Sequence, residues 1–229
     1  GTPSTEITEE AAKYKEIYCE WAPNEKVAFE SAFGASLAGK RAFCAMKHVG
    51  LNVAADPLFT AAYTGVNAGL VVGVADDAGM HSSQNEQDSR FYGKFAMIPT
   101  LEPASQQKAY DMMEEAFQLS EEQHLPVLVR VTTRMAHSRA VVKVKETPRQ
   151  QNELNYNAQA SNWVLLPAFA RKRNAIVTAQ QAELETIAEK SSHNKYEEAA
   201  DHSMGIIDPG IAYNYLMEYF ADGCKYHYL

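Results

Sequence analysis

A carboxyl, an imidazole and an ammonium group lie at the ends of consecutive predicted elements near the start of the chain. Glu25 begins a predicted helix, and Lys47 and His48 directly follow a short apolar segment that is predicted to be a buried strand. Such side chains can hold the charge of a ligand or exchange a proton with it. Because α/β proteins bind ligands at the carboxyl ends of parallel strands, the polar, glycine-containing turn predicted at residues 47–52 is a candidate ligand site.

The predicted helix that begins at Glu25 has small residues at roughly helical spacing, which allow another backbone to approach closely. These residues are Ala28, Ala32, Gly34, Ala35, Ala38 and Gly39. A glutamate in a first helical turn also has a purely structural use, since it complements the helix dipole by roughly 0.3–1 kcal/mol. The residue type alone therefore leaves both a structural and a catalytic role open for Glu25.

A second polar loop, residues 79–88, follows the apolar predicted strand at residues 69–75 and contains His81. If the sheet is parallel, this loop lies at the same end as the turn at residues 47–52, which makes His81 a candidate to face the same cavity. The alternative is an ordinary solvated connection. For His48, likewise, the alternative is a histidine that serves only to satisfy hydrogen bonds.

The chain begins with Thr2 and Pro3 directly before an acidic segment. Ser4 or Thr5 is a suitable N-cap for a helix there, with Glu9 and Glu10 in or near its early turns. By residue type alone, this segment is typical of the start of a helix.

The first part of the chain alternates between helical and strand patterns, which predicts an α/β fold with a mostly parallel sheet flanked by helices. Helices are predicted at residues 5–14, from 25, at 53–64, from about 88 and at 105–123, and strands at 17–20, 42–46, 70–75, 98–101 and 126–132.

The character of the sequence changes after residue 138, where residues 146–152 form a polar segment without apolar periodicity. The predicted domain is therefore residues 1–138, followed by a connecting segment with a helix at residues 139–203. Residues 204–229 have a strand and helix pattern and are expected to begin a truncated second α/β unit.

Composition excludes several classes of function. The chain has 229 residues, 46% of them hydrophobic, and a formal net charge of −8, which argues against a nucleic-acid surface. Its apolar runs are far shorter than the roughly 20 residues that a membrane-spanning helix needs. Cys19, Cys44 and Cys224 have no C-x-x-C spacing, which favours a reducing, cytoplasmic setting and argues against a zinc or iron–sulfur site here.

Longer segments of the sequence resemble one family. They are GTPSTEI, NEKVAFESAFGASLAG, MKHVGLNVAADPLFTAAYTG and VADDAGMHSSQNEQDSR. On these segments the chain resembles the alpha subunits of indolepyruvate ferredoxin oxidoreductases, over most of residues 1–138 and more weakly to the end. Many related 2-oxoacid oxidoreductases have a Thr-Ser-Gly-Pro-Gly type of turn where this chain has MKHVG, a difference that favours an arylpyruvate over pyruvate or 2-oxoglutarate.

The resemblance implies a thiamine-diphosphate-binding fold in which residues 1–138 form the pyrimidine-binding domain. It also implies roles for single residues. Glu25 would activate the cofactor; the pyrimidine would be lined by His48, Gly50 and Asn52; the substrate would be contacted by Thr2, Lys47 and His81. The implied reaction is oxidative decarboxylation of an arylpyruvate to an aryl-acetyl-CoA, with coenzyme A as co-substrate and ferredoxin as electron acceptor.

Two parts of the machinery implied by the resemblance have no motif in this sequence. These are the Gly-Asp-Gly segment that holds the diphosphate through Mg²⁺, and the cysteine-rich segments that hold 4Fe–4S clusters. The nearest acidic candidate, ADDAG at residues 75–79, lacks the required spacing. The chain is therefore expected to be a fragment without a metal site of its own, inactive alone, which works with a beta subunit and within a dimer of thiamine-binding subunits.

Two other interpretations stay open at this point. A non-oxidative thiamine-dependent 2-oxoacid decarboxylase would share the Glu25 geometry and need no ferredoxin. A non-catalytic subunit-interaction domain would keep the fold with an empty pocket and show no dependence on thiamine.

Overall fold

The computed structural model describes residues 2–146, 152–156 and 159–229. The strands are β1 (Ala42–Lys47), β2 (Leu70–Asp76), β3 (Thr100–Leu101), β4 (Val127–Thr132), β5 (Asp201–Ile206) and β6 (Tyr226–Tyr228). The helices are α1 (Thr5–Ala11), α2 (Glu25–Leu37), α3 (His48–Thr64), α4 (Arg90–Ala96), α5 (Gln106–Gln123), α6 (Thr133–His137), α7 (Ala160–Trp163), α8 (Pro167–Lys190) and α9 (Ala212–Tyr219). Among the described residues, the helices are too short or too polar to cross a membrane.

The main sheet is parallel, with the strand order β1-β2-β4-β3. Each residue of β1 lies beside a residue of β2, from Ala42 opposite Leu70 to Lys47 opposite Ala75. This register brings the carboxyl ends of β1, β2 and β4 to one edge, hereafter the carboxyl edge. The prediction of an α/β fold with a parallel sheet flanked by helices is confirmed.

The two faces of the sheet are covered by different helices. On one face α2 and α3 pack on β1 and β2, where Phe29, Leu51 and Leu58 have no exposed surface. Burial of each such side chain stabilises the fold by roughly 1.5–3 kcal/mol. On the other face α5 covers Val71 and Val127. The helices are thereby fixed against the sheet, and their first turns have defined positions at its edge.

The helical N-termini that matter for the site follow from local sequence. Asn24 caps α2, because its side chain accepts a hydrogen bond from the backbone N–H of Val27 at 3.0 Å. Helix α3 begins directly after β1 at His48, so the predicted turn at residues 47–52 is wrong: it is the first turn of a helix. The glycine in this turn indicated a loop, but the backbone continues into α3 and packs against α2.

The strand predicted at residues 17–20 is also wrong, since the chain between α1 and α2 forms turns and irregular backbone. Tyr18 is 86% exposed, and Trp21, directly after the segment, is 62% exposed, so these side chains point to solvent and do not pack against the sheet. The remaining predicted strands and helices of the first 132 residues are found with shifts of a few residues at their ends.

The C-terminal part contributes one helix to the first core. Helix α8 packs on α3, with Val177 buried and Leu184 against the core. Its Arg173 donates from Nε to the Tyr63 carbonyl at 2.7 Å, near the end of α3. Strands β5 and β6 form a separate two-stranded sheet. The predicted domain limits stay predictions, and most of the polar segment at residues 146–152 lies outside the described residues.

Candidate functional site

The first turns of α2 and α3 meet at the carboxyl edge through Glu25 and Gly50. A Cβ atom added to Gly50 would lie 2.5 Å from the Cγ of Glu25 and 2.8 Å from both its Cδ and its Oε1. Only a residue without a side chain therefore fits here while Glu25 keeps its position. The carboxyl group lies beside the first turn of α3, and the positive ends of both helix dipoles favour a negative charge there.

The Glu25 carboxylate has no hydrogen-bond donor among the described residues, and the side chain is only partly buried. It is fixed through its carbon atoms, by the start of α2 and by the Gly50 backbone. Its oxygen atoms can consequently accept a proton, or a hydrogen bond, from a ligand bound at the carboxyl edge.

His48, two residues before Gly50, is completely buried and both of its ring nitrogens are engaged. Its Nδ1 accepts a hydrogen bond from the backbone N–H of Asp77 at 3.3 Å, and its Nε2 lies 3.1 Å from the carbonyl oxygen of Asn85. An amide N–H can only donate, so Nδ1 carries no proton and Nε2 donates to Asn85. Both ring nitrogens are thus occupied by hydrogen bonds to the loop after β2.

That loop, residues 77–89, also contacts the end of β1. Lys47 donates from Nζ to the Ser82 carbonyl at 2.9 Å. His81 is exposed and lies over Gly79, since a Cβ added to Gly79 would be 3.4 Å from its Nε2. The structure therefore places His81 at the exposed tip of the loop, and Lys47 in a hydrogen bond with the backbone of the same tip.

The other two predicted residues are Asn52 and Thr2. Asn52 is exposed on α3, and its Oδ1 accepts a hydrogen bond from the hydroxyl of Tyr92 on α4. Burial raises the pKa of this tyrosine. Thr2 is exposed in the turn before α1, next to the buried Pro3 and Ser4. Among the hydrogen bonds described for this part of the chain, none joins Thr2 to Glu25 or to the 77–89 loop.

Sequence reasoning missed Asp77 as an organising residue. It is completely buried, and its carboxylate accepts hydrogen bonds from the Ser83 hydroxyl at 2.6 Å and the Thr133 hydroxyl at 2.8 Å. It also accepts from the backbone N–H groups of His81 at 3.2 Å and Ser82 at 2.8 Å. Burial by itself raises the pKa of Asp77, but these hydrogen bonds outweigh it and hold the pKa far below its ordinary value.

The preceding residue, Asp76, begins a buried charge network that was also missed. Its Oδ2 accepts from Arg130 Nε at 2.7 Å and from the Ser89 backbone N–H at 3.0 Å. Arg130 also forms an ion pair with Glu102, at the end of β3. An acidic pair directly after a fully apolar strand was the available signal. A local sequence pattern could not identify Arg130, on β4, or Glu102, directly after β3, as members of this network.

Five of the seven predicted residues thus lie at or near the carboxyl edge: Glu25 and Gly50 in contact, Lys47 and His48 bonded to the 77–89 loop, and His81 on that loop. Asn52 lies on α3 one helical turn after His48, and Thr2 is exposed in the turn before α1, a helix that contacts β1. The roles assigned to these seven residues stay predictions. Within residues 2–146, 152–156 and 159–229, no three His, Cys, Asp or Glu side chains are grouped so that they could hold a metal ion.

The parallel sheet flanked by helices, with Glu25 at its carboxyl edge, agrees with the thiamine-diphosphate-binding fold that the sequence resemblance implied. The sequence model of the family described as "Pyruvate flavodoxin/ferredoxin oxidoreductase, thiamine diP-bdg" matches residues 2–207. The chain belongs to this family, and the resemblance found in its sequence is confirmed.

Curated relatives agree with this membership. The chain is 45% identical over 226 residues to indolepyruvate oxidoreductase subunit IorA of Archaeoglobus fulgidus, which covers 95% of this chain and 36% of that protein. Subunit IorA of Pyrococcus horikoshii is 45% identical over 229 residues, 96% of this chain and 35% of the relative. Subunit IorA of Methanothermobacter thermautotrophicus is 43% identical over 222 residues, which are 95% of this chain and 36% of the relative. The chain spans about a third of the length of these relatives.

Among solved structures, the fold is similar to "2-oxoglutarate:ferredoxin oxidoreductase from Magnetococcus marinus with 2-oxoglutarate, coenzyme A and succinyl-CoA bound". The TM-score is 0.72 at 16% sequence identity, and the match covers 99% of this chain and 48% of the other. At this identity the likeness bears on the fold alone.

Proposed function

We propose that this chain is the cofactor-activating part of an indolepyruvate ferredoxin oxidoreductase, which oxidatively decarboxylates arylpyruvates to aryl-acetyl-CoA. The observation that carries the proposal is the contact between Glu25 and Gly50, which fixes at the carboxyl edge a carboxyl group whose oxygen atoms accept no hydrogen bond from the described residues. The names of the curated relatives support the substrate class.

The residues of this site fit the pyrimidine end of thiamine diphosphate. Bound there, the cofactor would supply the carbanion chemistry that cleaves a bond next to a keto group. Glu25 would hold a proton at one carboxylate oxygen and share it with a ring nitrogen of the cofactor. Gly50 leaves the space that this carboxyl group occupies, and Asn52 would offer its amide to the ring from the next turn of α3.

For the substrate, we propose that Lys47 and His81 approach its carboxylate from the carboxyl edge, with Thr2 as a third contact. Lys47 carries the positive charge, and its bond to the Ser82 carbonyl holds the ammonium group beside the 77–89 loop. The resemblance assigned His48 to the pyrimidine. Because its ring is completely buried, His48 would instead hold the 77–89 loop in place through its hydrogen bonds.

The remaining functions would belong to other parts of the protein or to partners. Since the relatives are almost three times as long as this chain, we assign Mg²⁺, the cofactor diphosphate and the 4Fe–4S clusters to that further length. Coenzyme A as co-substrate, ferredoxin, a beta subunit and a dimer of thiamine-binding subunits belong to the same proposal. The three cysteines are free thiols in the structure, which supports a cytoplasmic location.

The test is dye-linked oxidation of indolepyruvate by the assembled enzyme that contains this chain, with thiamine diphosphate, Mg²⁺ and coenzyme A supplied. We expect Glu25→Gln to lower turnover by roughly 10²–10⁴-fold, the usual contribution of a positioned acid or base. Glu30→Gln is the matched control, because Glu30 lies on the same helix and its one ion pair within the described part of the chain is with Lys26, at 4.0 Å. It should keep wild-type turnover.

The outcomes separate the proposal from its rivals. Equal turnover in wild type and Glu25→Gln would remove Glu25 as activator. Release of CO₂ from the 2-oxoacid without reduction of the dye would indicate a non-oxidative decarboxylase. Activity of the assembly that is independent of thiamine would indicate a non-catalytic interaction domain.

A further inference from the structure

The 77–89 loop has thirteen residues without helix or strand, and it carries the exposed side chains Met80 and His81 over the carboxyl edge. A loop of this length loses much conformational entropy when it is held in one arrangement. Its position above the site therefore needs specific contacts with the rigid elements below.

His48 supplies such contacts at two points of the loop. Its Nδ1 accepts from the N–H of Asp77, at the start of the loop, and its Nε2 donates to the carbonyl of Asn85, eight residues later. The ring has no exposed surface, so solvent cannot replace either hydrogen bond. The two hydrogen bonds clamp both arms of the loop to one side chain.

The part of the loop between these two points is organised by Asp77. Its carboxylate gathers the N–H groups of His81 and Ser82 and the hydroxyl of Ser83, and Thr133 on α6 binds the same carboxylate. The tip at residues 79–83 is therefore built around Asp77, while the backbone of Asp77 is bonded to His48.

His48 also lies in the same first turn of α3 as Gly50, the residue against which Glu25 packs. One helical turn thus fixes the Glu25 carboxyl group on one side and the loop with His81 on the other. Movement of the backbone at Asp77 or Asn85 relative to the first turn of α3 therefore has to break a contact of His48.

We propose that His48 is a positioning residue, which sets the 77–89 loop at the distance from Glu25 that a 2-oxoacid requires and does not itself contact cofactor or substrate. The kinetic part of this inference rests on the proposed function, whereas the structural part does not. Three variants at this position separate the two hydrogen bonds. Leucine removes both, asparagine keeps an acceptor near the Nδ1 position, and glutamine keeps a donor near the Nε2 position.

The experiment is hydrogen–deuterium exchange of the assembled enzyme, followed by steady-state kinetics with indolepyruvate and titration of thiamine diphosphate. In His48→Leu we expect amides of residues 78–88 to exchange about tenfold faster or more, since two buried hydrogen bonds are lost. In His48→Asn the faster exchange should be confined to the arm around Asn85. In the variants at position 48, the KM for indolepyruvate should rise about tenfold, whereas the affinity for thiamine diphosphate should stay unchanged.

The control is His124→Gln, because His124 is an exposed residue in the turn after α5, which connects to the start of β4 at the opposite end of the sheet. It should leave loop exchange and KM as in wild type. If His48→Leu does not fold, His48→Asn and His48→Gln still decide the matter, since each keeps one buried hydrogen bond and loosens a different arm of the loop.

Two results would overturn the proposal. One is wild-type exchange of the loop in the variants at position 48. The other is a loss of thiamine affinity with KM unchanged, which would place His48 against the cofactor. If even the wild type fails to oxidise any arylpyruvate, the proposed function is wrong, and the exchange data alone decide the positioning role.

Discussion

Two carboxylates at the same edge of the sheet are held in opposite ways. Asp77 is fully buried and surrounded by N–H and hydroxyl donors from the loop and α6, whereas Glu25 is fixed through its carbon atoms and has no donor among the described residues. A carboxylate whose lone pairs are all used stabilises structure. One whose oxygens stay free at a defined position is suited to proton exchange.

The strongest test of this contrast is Gly50→Ala. The added Cβ would lie 2.5 Å from Glu25 Cγ, so the glutamate has to leave its position and the distance to a bound cofactor ring changes. We expect turnover to fall by roughly 100-fold or more, since proton transfer requires hydrogen-bond reach. Thiamine-dependent turnover of the assembled enzyme is the measurement.

Gly34→Ala is the matched control for that substitution. An added Cβ at Gly34 would meet no atom within 4 Å in the described part of the chain, and both glycines are helical. Activity should be unchanged, with helix stability raised by about 1 kcal/mol. Equal activities of the two alanine variants would show that Glu25 does not need its contact with Gly50.

The second test removes the charge from the saturated carboxylate. Asp77→Asn exchanges an acceptor oxygen for an N–H₂ group that faces donors, so we expect the free energy of unfolding to fall by roughly 1–3 kcal/mol. Asp56→Asn, whose side chain is 77% exposed, should change it by less than about 0.5 kcal/mol. Urea unfolding at pH 7 measures both; a stable Asp77→Asn variant would contradict the structural role.

The pH dependence gives a third, smaller effect. The pKa of Asp77 in the folded state is lowered below its unfolded value of about 3.9. The ionised carboxylate therefore stabilises the fold fully at pH values above that unfolded-state pKa. The difference in unfolding free energy between wild type and Asp77→Asn should therefore be constant above about pH 5 and shrink as the pH falls below about 4. A difference that grows on acidification would show that burial, and not hydrogen bonding, dominates the pKa.

The smallest effect is expected for Tyr92→Phe, at the outer limit of the site. The variant loses the hydrogen bond from the Tyr92 hydroxyl to Asn52, which is exposed, so Asn52 can reorient with water as its partner. We expect a change in thiamine affinity of only a few fold, measured by titration of the apoenzyme. A change as large as that of Gly50→Ala would move Asn52 from the margin of the site to its centre.

Much of the fold was predictable because burial imposes local patterns. The apolar runs at β2 and β4 and the long amphipathic α5 were found close to their actual limits. The first turn of α3 was missed because a glycine in a segment that begins and ends with polar residues indicates a loop. Here the lack of a side chain at Gly50 makes room for Glu25. The strand expected at residues 17–20 was wrong because this segment joins α1 to α2 as turns and irregular backbone, with Ile17 and Tyr18 exposed.

The site was predictable in its residue types but not in its contacts. Glu25 was found from its place at a helix start and from a resemblance, and Gly50 from the same motif. The buried position of His48 depends on Asp77 and Asn85, which are 29 and 37 residues away along the chain. No periodicity within α3 contains that information.

By itself, then, the sequence determined the alternation of strands and helices, the family, and the presence of a glutamate at the head of α2. These properties are local, because hydrophobic period, capping residues and motif spacing act within a few residues of the chain. Only the tertiary structure decided which carboxylate is saturated and which is free. The donors around Asp77 come from the loop and from Thr133, 56 residues further on, and folding alone brings them to one point.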